Sequence, residues 1–298
     1  MDFAQVELVL ALDEARSLSG AAELLGTTTT AVSQQLRRLE REVGGEVFVR
    51  TPHGVVPTPA ADLLLRRARR VATTMETLTA GRAGAAAELV RVTALDSAAE
   101  HLARAVRRAR QQAPDLRVEI REARTAPELL AAVRDGRTGL GIGYLDARDV
   151  RWSHRRELVL DPVAHDECCV VLPPACADLP DPLPVTELPD LDVVTTTQDA
   201  VSRRLVERVL ARAGVRRRAG IATAHRAMLV PLVRAGAGMA WTTLEAVAPA
   251  APGVVVRRVV PAVTLPVYVV RPAEPPTGGA ALLHALLTDR AAERRAGA

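Results

Sequence analysis

Apolar and polar positions along this chain change period from segment to segment, and each period marks a different kind of element. Residues 17–25 pair Leu18, Ala21, Ala22 and Leu25 at helical spacing, and Gly26 and Thr27 break the run. A second helix is predicted over 29–42, where Val32, Leu36 and Leu39 fall at i, i+4 and i+7 and form one buried stripe. Ser19 is placed to cap the first helix and Thr28 the second, accepting from N–H groups that a first turn leaves unpaired. The opposite face of the second helix carries Thr30, Ser33, Gln34, Arg37 and Arg41. Residues 47–50 and 55–58 then read as short strands around the turn Thr51-Pro52-His53-Gly54. A helix pair followed by a hairpin is a winged helix-turn-helix, whose second helix suits a DNA major groove.

Pro59 suits the first turn of a further helix. Over 61–78 the apolar positions Ala61, Leu64, Ala68, Val71, Met75 and Leu78 alternate spacings of three and four, the seam of a short coiled coil. Arg66, Arg67, Arg69 and Arg70 occupy the other faces. A dimerisation linker is expected, pairing through Leu64, Ala68, Val71 and Met75. Gly and Ala over 81–87 mark a boundary. Beyond it strand and helix patterns alternate: strands over 89–94, 116–123 and 139–145, helices over 98–112 and 127–134. A second such run has strands over 168–172, 193–195, 221–223 and 239–242 and helices over 202–213 and 227–235. Strands over 254–260 and 265–271 and a closing helix over 278–288 complete the chain. Alternation of this kind gives mainly parallel sheets covered by helices.

Several of these residues carry a family resemblance. Ser17-Leu18-Ser19, Ala21-Ala22 and Leu24-Leu25, then Ala31-Val32-Ser33-Gln34-Gln35-Leu36 with Leu39-Glu40, then Gly44, Val47-Phe48 and Arg50, resemble the N-terminal module of LysR-type transcriptional regulators. The match is ordered over about sixty residues, far more than a generic helix-turn-helix supplies. Val233, Gly236, Gly238, Met239 and Ala240 resemble the helix-to-strand signature of that family's effector domain. The resemblance implies antiparallel pairing of two linker helices and a two-lobed α/β effector domain like a periplasmic binding protein. Three departures stand out: Ala61 replaces a glycine after the wing, Thr29 replaces a frequent glutamine, and Gly139-Leu140-Gly141-Ile142 lacks the acid usual in that strand. The fold class expected is therefore α/β with an N-terminal all-α winged helix-turn-helix, a long linker helix and a C-terminal two-lobed α/β domain. Its boundaries fall at 1–58, 59–87 and 88–298, with lobe I at 88–162 and 264–298 and lobe II at 163–263.

Charge refines this picture. The net charge is +4, and all 39 basic residues are Arg, which with abundant Ala reads first as codon bias of a GC-rich genome. Residues 1–58 hold five Arg against eight acids, a net −3, so total charge does not argue for DNA. Placement does: Arg37, Arg38, Arg41 and Arg50 cluster on the second helix and wing. Thr29, Thr30, Ser33 and Gln34 are the candidates for base edges, and Thr28 caps the helix against phosphate. Arg37, Arg38, Arg41, Arg50 and His53 are the candidates for phosphate or minor-groove contacts. Acids sit where an export signal would need basic and apolar residues, and no run is long enough to span a bilayer, so a cytoplasmic place is expected.

Ligands in open α/β sheets bind beyond the carboxyl ends of strands, at helix N-termini. That rule selects Asp96 and Ser97, Arg124 and Thr125, and Thr195, Thr196 and Thr197 for a small-molecule effector, with hydroxyls and Arg124 suited to an anion. Other chemistry finds no footing. The glycines at 139–143 and 236–238 lack dinucleotide spacing, and no nucleophile-elbow or phosphate-loop pattern occurs. Cys168 and Cys169 read as buried strand residues, Cys176 gives no disulfide framework, and no metal or cofactor is expected. Six aromatic residues argue against a base-stacking platform. Two function classes follow: an effector-responsive regulator of double-stranded DNA acting as a dimer or tetramer, and a cytoplasmic solute-binding or enzymatic α/β protein with an accessory helical domain. The wing and linker favour the first, since a solute receptor needs neither.

Overall fold

A computed structural model describes residues 1–52, 54–80, 89–154, 158–196, 201–247 and 252–289. The chain divides into two compact units, Met1–Glu88 with Arg134–Thr138, and Leu89–Val133 with Gly139–Ala298. The 81–87 boundary segment lies outside the described residues.

The first unit contains α1 (Phe3–Ala15), α2 (Leu18–Leu24), α3 (Thr29–Val43), a hairpin of β1 (Phe48–Thr51) and β2 (Gly54–Pro57), and α4 (Ala61–Ala80). Ser17, not Ser19, caps α2, its Oγ accepting from the Gly20 N–H at 3.0 Å. Ser19 is already wound into the helix and lacks the extended backbone that a cap requires. Thr28 caps α3 through the Ala31 N–H at 3.2 Å, and Gly44 closes the helix in a left-handed conformation. Val32, Leu36 and Leu39 pack with Leu8 and Leu12 of α1 and with Val47, Phe48 and Val55 of the hairpin. Burying each such side chain stabilises the unit by roughly 1.5–3 kcal/mol. The hairpin docks on the end of α1, where the Val55 N–H donates to the Arg16 carbonyl at 2.7 Å. Gly54 lies against that same carbonyl with φ +125°, and a Cβ there would strike it, so only glycine fits.

Helix α4 corrects the expected seam. Ala61, Leu65 and Ala68 are buried in the unit's own core, with Leu64 and Ala72 partly buried beside them. Ala68 has no exposed surface to offer a partner, whereas Val71 and Met75 are 44% and 38% exposed. Two adjacent stripes share this helix: 61, 65, 68 and 72 face inward, and an apolar strip beside them faces out. An i, i+3, i+4 count along the sequence crosses from one stripe to the other. Arg69 pairs with Asp13, fastening α4 to α1.

The second unit comprises β3 (Leu89–Leu95), α5 (Ala99–Gln112), β4 (Arg117–Ala123), α6 (Ala126–Arg134), β5 (Leu140–Tyr144), α7 (Ala147–His154), β6 (Leu158–Leu172), β7 (Leu183–Pro184), β8 (Val193–Thr196), α8 (Val201–Arg212), β9 (Ala219–Thr223), α9 (Leu229–Arg234), β10 (Met239–Thr243), α10 (Leu244–Val247), β11 (Val255–Val260), β12 (Thr264–Pro272) and α11 (Gly278–Thr288). Its strands run in the order β4-β3-β5-β12-β6-β10-β8-β9, with β11 also on β6 and β7 on β11. Strand β3 is parallel to both β4 and β5, and β8 is parallel to both β9 and β10. Two parallel cores, or lobes, are thus joined by β6. From Leu158 to Glu167 it pairs antiparallel with β12, and from Cys168 onward with β10 and β11.

Only 168–172 of β6 was expected. Asp161, Pro162, Asp166 and Glu167 interrupt its apolar alternation, and Pro162 falls where the register with Val267 and Tyr268 shifts, a bulge that tolerates its missing N–H. Helix α7 was also unforeseen; Asp146 caps it, accepting from the N–H groups of Arg148 at 2.7 Å and Asp149 at 3.2 Å. Helix α5 lays Leu102, Ala105 and Ala109 on the sheet with Leu283 and Leu287 of α11, while α6 covers another face with Leu129, Leu130 and Val133. The glycines of β5 serve that packing: a Cβ at Gly141 would press on Leu129 and Val133, and one at Gly143 on Leu95. Among the described residues, no helix is long and apolar enough to cross a membrane.

Candidate nucleic-acid interface and ligand cleft

Burial of Val32, Leu36 and Leu39 fixes which side of α3 faces outward. Thr28, Thr29, Thr30, Gln34, Arg37, Arg38 and Arg41 are exposed, and Ser33 is half-buried. Arg50 on β1 donates through Nη2 to the Ser33 hydroxyl at 3.2 Å, so wing and helix present one continuous polar surface. Glu40 braces this arrangement from behind, its Oε1 accepting from the backbone N–H groups of Val47 at 3.0 Å and Phe48 at 3.4 Å. Two of the arginines are committed locally. Arg38 pairs with Glu42 at 3.1 Å, and the Arg41 Nε donates to the Arg37 carbonyl at 3.3 Å. Hydrogen bonds from Gln5 and then Arg38 hold the Glu42 carboxyl below its ordinary range, so Arg38 faces a settled anion. His53 lies outside the described residues.

In the second unit, a cavity of about 580 Å³ lies between the lobes. Asp96, Ser97, Arg124, Thr125 and Thr196 line it together, although they come from three separate strand ends. Thr195 does not. It lines instead a cavity of about 70 Å³ whose wall also includes Thr196, Ser202 and Trp241. Thr197 lies outside the described residues. The candidates differ in readiness. Ser97 is half-buried at the turn into α5, and Thr125 caps α6 by accepting from the Glu128 N–H at 3.3 Å. The Arg124 side chain is 84% exposed and sits 3.8 Å from Glu128, at the rim.

Sequence reasoning missed the polar cluster at the base of this cleft. Asp166 on β6 accepts from the Tyr144 hydroxyl at 2.6 Å and lies 2.9 Å from His101 Nε2 through both carboxylate oxygens. Arg104 donates to His101 Nδ1 at 3.1 Å, which leaves Nε2 to carry the proton that Asp166 accepts. Burial and then the Asp166 charge push the Tyr144 hydroxyl far above its ordinary range, so it stays a donor. The Tyr144 hydroxyl also lies 3.4 Å from that of Thr243 on β10, linking one lobe to the other. A second tie joins them: Arg204 on α8 grips Asp146 through Nη2 at 2.9 Å and Nε at 3.2 Å. Only the apolar-flanked Tyr144 left any trace in the sequence, as an aromatic ending a buried strand. The thiols of Cys168 and Cys169 are buried in β6, and burial pushes each up to about 12. Among the described residues no cluster of His, Cys, Asp and Glu is arranged to hold a metal.

Comparison with known proteins adds to this geometry. Residues 3–62 match the bacterial regulatory helix-turn-helix proteins of the lysR family, and residues 83–292 match the LysR substrate binding domain. Among named relatives, the HTH-type transcriptional regulator AbaB of Streptomyces antibioticus is 41% identical over 68 residues, 23% of each chain. The small neutral protease regulatory protein of Streptomyces coelicolor is 34% identical over 123 residues, 40% of this chain and 38% of that one. The matched segments thus span well under half of those relatives. Solved structures align over nearly the whole length. ArgP from Mycobacterium tuberculosis gives a TM-score of 0.73 at 18% identity, covering 97% of this chain and 98% of its own. Full-length CbnR complexed with its target DNA gives 0.66 at 17% identity, covering 96% and 99%. At such identities the likeness is one of fold.

Proposed function

The chain belongs to the LysR family of bacterial helix-turn-helix regulators, and on that premise we propose that it regulates transcription by binding double-stranded DNA under the control of a small-molecule effector. The single observation that carries this reading is the outward face of α3. There Thr29, Thr30 and Gln34 stand exposed beside a wing that is tied to the helix through Arg50 and Ser33. Hydroxyls and a carboxamide of this kind read base edges, and the Gln34 amide matches adenine bidentately. Thr28 at the helix start, with Arg37, Arg41, Arg50 and His53, holds the backbone phosphates, and Arg38 contributes charge once released from Glu42. The regulator acts in the cytoplasm, on no membrane, and is not an enzyme.

The effector occupies the cavity between the lobes, where Asp96, Ser97, Arg124, Thr125 and Thr196 meet. It carries an anionic group, held by the Ser97 and Thr196 hydroxyls and by backbone N–H groups at helix starts. The assembly is a dimer or a tetramer, formed through the outward strip of α4 at Val71 and Met75, with the half-buried Leu64 at its edge. An effector changes the operator affinity only through its differential affinity for two lobe arrangements. A gel shift with DNA from upstream of the protein's own gene tests the reading. Retardation that survives excess unrelated duplex supports it, and binding lost equally to any duplex speaks against sequence recognition.

A further inference from the structure

Two ionic side chains of opposite sign carry buried atoms without partners at one cavity. Among the described residues, Nε and Nη2 of Arg226 are sealed from solvent with no hydrogen-bond partner, and Oε2 of Glu245 is in the same condition. Both residues line a chamber of about 490 Å³, which meets the cleft between the lobes at Asp96, Ser97 and Arg226. Its size is that of a small-molecule site, roughly 300–1,000 Å³. A buried ion without a partner strongly destabilises a fold. Arg226 and Glu245 would relieve one another by pairing, yet they do not meet. Burial, and then the charge of Asp166, push the Glu245 carboxyl above its ordinary range.

We propose that this chamber receives a ligand bearing both a carboxylate and a protonated amine, the pattern of an α-amino acid, with its carboxylate on Arg226 and its ammonium on Glu245. The inference rests on the reading of the second unit as an effector domain and names the class of its effector, whose carboxylate meets Arg226 where the chamber opens on the cleft beside Ser97. The chamber walls set Asp96, Glu100, Asp166 and Glu245 against Arg226 and Arg234. A plain carboxylate satisfies Arg226 but brings its charge among four acids and leaves Glu245 unpaired. A plain amine satisfies Glu245 and leaves Arg226 unpaired. A zwitterion answers both at once. Asp166 is already engaged by Tyr144 and His101, and of the four acids Glu245 is the one with an oxygen sealed from solvent and unpartnered among the described residues.

Isothermal titration calorimetry on the full chain tests this with the standard L-amino acids, each beside its decarboxylated amine and its deaminated carboxylic acid. At least one amino acid is expected to bind, with both truncated analogues weaker by about tenfold or more, since each forfeits a charge-assisted contact. Arg226→Gln and Glu245→Gln are each expected to weaken the amino acid by a similar factor. Both variants delete an unpaired buried charge, so their melting temperatures should hold or rise, and the comparison of analogues on the unaltered chain needs no variant at all. A deaminated acid that binds as tightly as its amino acid overturns the ligand class while leaving the cleft reading in place. Unchanged affinity in both variants overturns the location, and absence of binding by every amino acid overturns the inference outright. The cleft reading fails by a separate sign, namely operator affinity that responds to no metabolite.

Discussion

Gln34 stands exposed on α3, and its carboxamide has no hydrogen-bond partner among the described residues, which leaves it for a base edge. Gln34→Ala should cost about 1–3 kcal/mol on the cognate site and relax preference at one base position, read by competition among single-base operator variants. Arg50 has a different job. It is held by Ser33 on the helix flank, and Arg50→Ala should weaken specific and random duplexes alike and lower the salt slope of binding by about one unit. A changed base preference with an intact salt slope would contradict the wing assignment. The cysteines give a third test. With thiols pushed up to about 12 by burial, Cys168 and Cys169 are almost wholly protonated at pH 8, whereas Cys176 is half-buried on a 3₁₀ turn. Native protein should label at Cys176 alone with a thiol reagent at pH 8, and at all three positions once unfolded. Side chains on one helix, such as Val32, Gln34 and Arg37, were legible because spacing alone assigns their face. His101 and Asp166, 65 residues apart, and Tyr144 and Thr243, 99 apart, were not, because only the fold brings them together.

Elements were legible where a single period governs them. Helices α3 and α5 each bury one stripe, and their extents follow closely from it. Where two demands share an element, the period misleads. In α4 an inward stripe and an outward strip lie side by side, so counting threes and fours assigned Ala68 to the wrong one. In β6 a single strand serves both lobes, and its proline and acids obscure the alternation of the first half. The α4 correction has a measurable consequence. Val71→Glu should lower the oligomeric state in sedimentation while the melting temperature holds, because that side chain is 44% exposed within its own unit. Ala68→Glu forces an unpaired charge into the core and should lower the melting temperature sharply, a penalty of several kcal/mol. An unaltered assembly for Val71→Glu, or an unaltered melt for Ala68→Glu, would show that the two stripes have been interchanged.

At the scale of the whole molecule, the two-lobed form was legible because βα alternation restarts after the middle of the chain. What holds the lobes together was not. The forked contact of Arg204 with Asp146 crosses between them, and Asp146 is nearly buried at 8% exposure. Arg204→Ala should leave both lobes folded but speed deuterium exchange at α7 and α8, with a loss of about 1.5–3 kcal/mol for a hydrogen bond to a charged group. Exchange unchanged in both helices would remove this contact from the account of how the lobes are held. Selection from a randomised duplex library with the full chain tests sequence-specific recognition by the first unit. Enrichment of a motif with two related half-sites is expected, since the two-fold symmetry of a dimer is mirrored in its operator. Repeated rounds that enrich no sequence, with retention set by salt alone, would contradict it.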